Sequence, residues 1–243
     1  MSSNKNYLLE AIHQNEMLMN FKLIPASKEE NGCDGDAGHT FETLIGVPEN
    51  NNKFADFKGY ELKVKVSLST LITCLTSTPP GSTRYIYENF SYEDKKNRKV
   101  FFKDSSMNLP FSFIKTDSKL ILKDGETFFG EWNYSDLSIK LINKLTNLVV
   151  IEAIRKKIDG KKYFIFTKIT LYTDFNVDQF WEEILNTVRV DFRIGYSMSK
   201  GCIHDRGTAF RVKMENLMKF YQTKEILLEA PPHITQKTKK KAR

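Results

Sequence analysis

Two long β-rich runs, Leu148 to Ile158 and Lys161 to Tyr172, meet at Asp159-Gly160. An Asp-Gly pair between such runs is a two-residue hairpin signal, because the turns that match strand twist need positive φ at their central residues. A lone hairpin is marginal in water, so this one must be covered by other elements, and the chain supplies them. Tyr134 to Leu145 reads as a helix with Leu137, Leu141, Ile142 and Leu145 on one face. The short apolar runs Val100-Phe101-Phe102, Phe111 to Ile114, Leu120-Ile121-Leu122 and Phe128-Phe129, separated by polar turns, predict short antiparallel strands.

Further helices are predicted over Asn6 to Glu16, built on Leu8, Leu9 and Ile12, and over Ala37 to Ile45, with Asp36 as cap, Gly46 as terminator and Phe41, Leu44 and Ile45 buried. Met17 to Ile24 extends the first helix or forms a short strand. Val177 to Asn186 is read as an amphipathic helix on Phe180, Trp181, Ile184 and Leu185, and Met214 to Tyr221 as a closing helix. Ser67 to Ser77 reads as a strand with Cys74 in the core, and Pro25 to Gly35 as a mobile loop suited to closing over a ligand. His13 is expected at the surface or the helix boundary, and His39 touches a phosphate or faces solvent, the second reading being preferred.

The chain has 243 residues, 40% of them hydrophobic, enough to bury a proper core in one large domain or two small lobes. No apolar run approaches the ~20 residues that span a bilayer, and Met1-Ser2-Ser3-Asn4-Lys5 is followed by no apolar signal region. Cys33, Cys74 and Cys202 are odd in number and widely spaced, which predicts free thiols in a reducing cytoplasm and no structural zinc. A formal charge of +7 permits a polyanionic partner, although part of the excess lies in the basic tail from residue 231 to 243, read as disordered. Ser82 to Tyr87, with Lys95, Lys96, Arg98 and Lys99, is a basic, tyrosine-bearing section that suits phosphate and sugar contacts or a plain charged surface.

Two stretches carry chemistry. In Phe54 to Val66, strand alternation sends Glu61, Lys63 and Lys65 to one face and Tyr60, Leu62, Val64 and Val66 to the other. Gly59 permits a sharp turn that brings Asp56 back towards Glu61. Two carboxylates and an ammonium then converge, a set able to hold Mg²⁺ between Asp56 and Glu61 with Lys63 beside the water that attacks a phosphodiester. Glu42, on the helix just upstream, is a candidate third carboxylate. The competing reading of Glu-x-Lys is a solvated strand face. The second stretch runs from Val188 to Tyr196 and on to His204-Asp205-Arg206-Gly207-Thr208-Ala209-Phe210-Arg211. Arginine offers two donors to guanine and a carboxylate accepts from cytosine, so this polar cluster suits a base-reading loop. An ion-pair cluster steadying a β-turn accounts for it as well.

Taken together, Gly38-His39-Thr40-Phe41-Glu42, Ala55-Asp56-Phe57, Glu61-Leu62-Lys63, Leu75-Thr76-Ser77-Thr78-Pro79, Asp191-Phe192-Arg193-Ile194-Gly195 and the segment from His204 to Arg211 resemble, in order, the MvaI/BcnI-type restriction endonucleases. That family belongs to the PD-(D/E)XK nucleases and is related to the mismatch-repair nickase MutH. The match is dense in the N-terminal third and C-terminal quarter and only general between them. It implies an α/β (α+β) fold in which a mixed sheet flanked by helices forms the nuclease core and two lobes make a DNA-binding cleft. Residues 1–100 are expected to be mainly the catalytic lobe, and 101–230 the remaining core with the DNA-recognition lobe.

The implied activity is Mg²⁺-dependent cleavage of double-stranded DNA by a monomer in a prokaryotic cytoplasm, one strand at a time, at a short pseudosymmetric CC-N-GG-like site. One or two ions and no obligate protein partner are implied. Asp56 and Glu61 fall on the metal ligands, Lys63 on the residue that orients or deprotonates water, and Glu42 on an accessory acid. His204, Asp205, Arg206, Thr208 and Arg211 fall on the base-reading segment, with Arg193 beside it. The chain departs from the family at Arg206, where a second histidine is usual. A MutH-like nickase and a non-enzymatic DNA-binding module remain alternatives.

Overall fold

The computed structural model describes residues 2–27, 36–47, 55–66 and 71–234. Most of the expected loop at Pro25 to Gly35, Cys33, Ser67 to Thr70 and residues 235–243 of the tail lie outside the described residues. The fold is mixed α/β with three sheets. Two compact units interleave along the chain. One comprises 1–70, 143–175 and 221–243, and the other 71–142 and 176–220.

The first unit contains helices α1 (Ser2–His13), α2 (Glu16–Met19) and α3 (Asp36–Leu44), and strands β1 (Ile24–Pro25) and β2 (Glu61–Lys65). The second opens with β3 (Leu71–Thr76), α4 (Ser82–Phe90), β4 (Tyr92–Glu93), β5 (Lys99–Asp104), β6 (Ser112–Lys115), β7 (Lys119–Asp124) and β8 (Thr127–Asn133). Helix α5 (Tyr134–Leu145) bridges the boundary in sequence, and β9 (Leu148–Ile158) and β10 (Lys161–Phe175) return to the first unit. The second unit resumes with α6 (Val177–Glu182), β11 (Arg189–Ser197), β12 (Cys202–Asp205), β13 (Ala209–Lys213) and α7 (Met214–Leu217), after which β14 (Tyr221–Glu229) completes the first.

In the first unit the hairpin is the frame. β9 and β10 pair antiparallel through Asp159 (φ 48°) and Gly160 (φ 80°), the two positive angles that the Asp-Gly pair promises. The sheet runs β1-β10-β9-β2 with β14 also on β10, and only β2 lies parallel to its neighbour. Leu8, Ile12, Leu18, Phe41, Leu62, Val149, Ile151, Phe164 and Phe166 form its core, with Phe41 set edge-on to Phe166 at 5.2 Å. Phe41 is fully buried, so Phe41→Ala is expected to cost about 3–5 kcal/mol. His39 is half-buried rather than turned to solvent, its Nδ1 lying 3.0 Å from Ser27 Oγ and 3.2 Å from Thr43 Oγ1.

The second unit holds an antiparallel sheet, β3-β13-β11-β5-β4 with β12 on β11, and a three-stranded sheet β6-β7-β8. Phe192 packs edge to face with both Phe101 and Phe111, and buried Trp132 donates its indole N–H to the Ser77 carbonyl at 3.1 Å. Gly130 has to be glycine, because a Cβ there would meet Ser82 Cβ at 3.0 Å and Pro79 Cβ at 3.2 Å.

Several elements differ from their sequence readings. Ser82 to Tyr87 is helical, since Pro79-Pro80-Gly81 ends the preceding strand and Gly81 (φ 79°) starts α4 with Ile86 buried. The helix at Val177 stops at Glu182, three residues before the left-handed Leu185 (φ 75°). The closing helix is one α turn and one 3₁₀ turn, Met218–Phe220, before β14, a strand whose mostly exposed polar residues disguise it. Met17 to Ile24 resolves into the end of α2 and the start of β1. Ile142 is 45% exposed, so the α5 stripe is narrower than its pattern suggests. Among the described residues no helix is long and apolar enough to cross a membrane.

Candidate functional site

The Asp56–Lys63 cluster forms in the first unit. Phe57 and Tyr60 exchange backbone hydrogen bonds of 2.9 and 2.8 Å around Lys58 (φ 49°) and Gly59 (φ 86°). This tight reversal lets Asp56 Oδ2 accept from Leu62 N at 2.9 Å, which turns its carboxylate towards Glu61. Asn147, following α5, fixes the same turn: its carbonyl accepts from Glu61 N at 2.9 Å and its side chain donates to Gly59 O at 3.4 Å.

Glu61 is fully buried, contrary to a solvated face. A buried carboxylate is costly unless it is paired, and here the Lys63 ammonium donates to Oε1 while Lys144 Nζ lies 3.5 Å from the same oxygen. Lys63 also stands 3.9 Å from Asp56 Oδ2. Burial pushes the Glu61 carboxyl above the usual range and Lys63 pulls it back; Asp56 adds to the rise and Lys144 opposes it. Oε2 of Glu61 is buried and has no hydrogen-bond partner among the described residues. An orphaned anionic oxygen between balanced charges is what a hard divalent cation requires of a ligand. Among the described residues no group of three or more His, Cys, Asp and Glu side chains forms a ready metal cage. A cation would therefore rest on Asp56 and Glu61, with further oxygens from DNA and water. Glu42 rides on α3, which packs against β2, but it does not complete such a three-acid group. Lys65, third in the row, pairs with Glu152 at 3.0 Å.

Lys144 was not legible in the sequence. It occupies the last turn of α5, where the helix dipole favours a cation, but nothing in its spacing ties it to Glu61.

The base-reading candidates lie in the second unit. Strand pairing sets Arg193 opposite Phe102 and Arg189 opposite Arg211, while Asp191 lies two residues from both Arg189 and Arg193 on β11. Asp191 is buried; its Oδ1 lies 3.0 Å from Arg193 Nε and its Oδ2 3.0 Å from Arg211 Nε. The guanidinium of Arg189 approaches Asp104 at 3.8 Å. Arg193 and Arg206 lie 5.6 and 5.9 Å from the centre of the Phe102 ring. Asp191 and Phe102 thus support the arginine group from beneath. Phe102 reads as strand filling in sequence, and Asp191 as one polar residue among many.

Asp205 shapes the loop. Its Oδ1 accepts from Gly207 N at 2.8 Å and Thr208 N at 2.7 Å, and its other oxygen accepts from Thr78 Oγ1. Thr208, expected beside the bases, is fully buried in the loop just before β13. His204 is half-buried on β12 opposite Gly195. The structure therefore brings together Asp56, Glu61 and Lys63 in one unit and Arg193, Arg206 and Arg211 in the other.

The family model of the MvaI/BcnI restriction endonucleases matches residues 12–221. The structure is similar to restriction endonuclease MvaI in complex with cognate DNA substrate, at 26% identity and a TM-score of 0.75, covering 94% of this chain and 100% of that one. It also resembles the fold of MvaI in the absence of DNA, at 23% identity and a TM-score of 0.57, covering 94% and 99% of the two chains. Among curated proteins none matches. With its family signature spanning most of its length, the chain belongs to the MvaI/BcnI restriction endonucleases and is a DNA-cleaving hydrolase.

Proposed function

We propose that this chain is a type II restriction endonuclease that cuts both strands of duplex DNA, one at a time, as a monomer in a prokaryotic cytoplasm, at a short pseudosymmetric CC-N-GG-like site and with Mg²⁺. The observation that carries the reading is the buried Glu61 carboxylate with Oε2 unpartnered beside Asp56 and Lys63. The unit containing β2 is the nuclease core of PD-(D/E)XK type, and the unit containing β11 and β13 reads bases. The relative solved with cognate DNA supports duplex DNA as the substrate.

Asp56 and Glu61 Oε2 would hold the cation, which supplies Lewis-acid polarisation of the scissile phosphate and a more acidic water. Lys63, anchored on Glu61, presents its ammonium where a water can be oriented for in-line attack and where negative charge grows on the phosphate oxygens. Lys144 adds a second positive charge beside Glu61 Oε1 and opposes the rise that burial imposes on its pKa. Hydrolysis leaves 5′-phosphate and 3′-hydroxyl ends. On the reading face, Arg193 and Arg211 direct donors at base edges from their shared anchor, Asp191, and Asp205 keeps the loop in shape for Arg206.

The test is digestion of long unmethylated DNA with purified protein, with and without Mg²⁺, followed by sequencing of the ends. Discrete Mg²⁺-dependent fragments bounded by one short sequence support the proposal. Nicks confined to one strand indicate a nickase, and tight binding without cleavage a binding module.

A further inference from the structure

We propose that Phe102 is a specificity-determining positioning residue, whose ring holds the guanidinium groups of Arg193 and Arg206 as one unit for reading neighbouring base pairs. The inference rests on the reading face proposed above and adds to it a residue that carries no hydrogen-bonding group of its own. Three observations converge. Phe102 on β5 is the register partner of Arg193 on β11. Arg206 follows β12 and donates its backbone N–H to the Arg193 carbonyl at 2.8 Å, so the three residues form a row across adjacent strands. Both guanidinium carbons then lie within 6 Å of the ring centre, at 5.6 and 5.9 Å.

Such contacts are attractive because a ring face is electron-rich, and they matter more where water is partly excluded. Phe102 is half-buried, whereas Arg206 is exposed and the Arg193 side chain is 43% exposed. The ring therefore fixes the inner faces of two cations while their N–H edges remain available. Arg193 is held at a second point by Asp191, but among the described residues Arg206 has no acid partner and relies on the ring and its backbone bond. Two long side chains of equal charge would otherwise diverge, losing the fixed fork that lets arginine address a guanine through two bonds. Neighbouring strands are about 4.8 Å apart, wider than the ~3.4 Å rise between stacked base pairs, so the two side chains have to converge to address adjacent pairs, and the shared ring draws them together.

The experiment uses the full chain, the site mapped by digestion, and every single-base-pair variant of that site. Binding is measured with Ca²⁺ replacing Mg²⁺, and cleavage with Mg²⁺. Arg193→Ala and Arg206→Ala are expected to lower discrimination about 10- to 100-fold, each at its own base pair and at adjacent positions. Phe102→Leu is expected to lower it about 3- to 10-fold at both positions and nowhere else, with binding to unrelated DNA unchanged. Phe102→Tyr, which keeps the ring, restores discrimination, and Phe102→Leu adds nothing at the Arg206 position once Arg206 is alanine. Retained discrimination in a folded Phe102→Leu protein, or loss spread evenly over all positions, overturns the inference. If both arginine variants keep full discrimination, the reading face itself is misassigned. Should the leucine variant not fold, Phe102→Met carries the test, since it too removes the ring and has to lower discrimination at the same two positions.

Discussion

The two polar clusters are electrostatic opposites. Around β2 the anions are placed first: Glu61 is wholly buried, two lysines converge on one of its oxygens, and the other oxygen is left without a partner. Around β11 and β13 the anion lies underneath, buried Asp191 tying two arginines whose side chains stay 43% and 29% exposed. The first arrangement presents negative charge to a small cation. The second presents cationic forks to something large and electronegative. In the proposed reading a buried acid performs opposite tasks, as ligand in one cluster and as anchor in the other, and substitutions that keep its shape but remove its charge separate the two.

The largest effect is expected at the ligand. Glu61→Gln should reduce single-turnover cleavage in Mg²⁺ by on the order of 10³-fold, the scale of deleting one preorganised electrostatic group. Duplex binding should survive, since the arginine face is untouched. Near-normal cleavage by this variant, measured on a plasmid carrying the site, would remove Glu61 from the chemistry.

Next comes the anchor. Asp191→Asn should weaken specific binding by roughly 1–3 kcal/mol, the range of one good base-edge contact, while binding to unrelated DNA stays within error. Competition titrations between cognate and scrambled duplexes distinguish this from general weakening. A loss shared equally by both DNAs would mean that the arginines serve only phosphates.

A smaller effect is expected from Lys144→Met. It leaves Lys63 in place but withdraws half of the positive charge from Oε1, so cleavage should fall about tenfold at saturating DNA, with KM little changed. Lys144→Arg should recover most of the loss. If methionine and arginine variants behave alike, the 3.5 Å approach has no part in turnover.

The contrast between the clusters also explains what could be read from sequence. Asp56, Glu61 and Lys63 are close in the chain, and the forces that assemble them are local: a Lys-Gly turn with two positive φ angles and strand alternation. The long hairpin was legible for the same reason. Lys144 is brought to Glu61 by the packing of a helix end, and Phe102 to Arg193 by the register of β5 against β11. Neither contact leaves a local pattern. Thr208 and Asp205 carry polar groups suited to base reading, but only tertiary structure shows that Thr208 is fully buried and that Asp205 accepts from the Gly207 and Thr208 backbone. α4 was missed because its charged and tyrosine-rich surface outweighs the single deeply buried apolar residue, Ile86, that docks it.

The smallest expected effect lies in stability, and here the two acids should differ in sign. Burial raises the Glu61 pKa, so the folded state holds that proton more tightly than the unfolded chain does. The charged form then costs stability at pH above the folded value, and the cost disappears below the unfolded value. Glu61→Gln mimics the protonated carboxyl, so it should melt slightly above the parent protein at neutral pH. The gap should close as the pH is lowered through the carboxylate range. Asp191→Asn should instead melt below the parent, because two guanidinium groups lose the anion between them. Calorimetric scans of both variants without metal or DNA, at neutral and mildly acidic pH, give the comparison directly. Equal destabilisation by both substitutions would mean that Glu61 is held by its lysines as firmly as Asp191 holds its arginines, and that the unpartnered Oε2 carries no energetic cost awaiting relief by a bound cation.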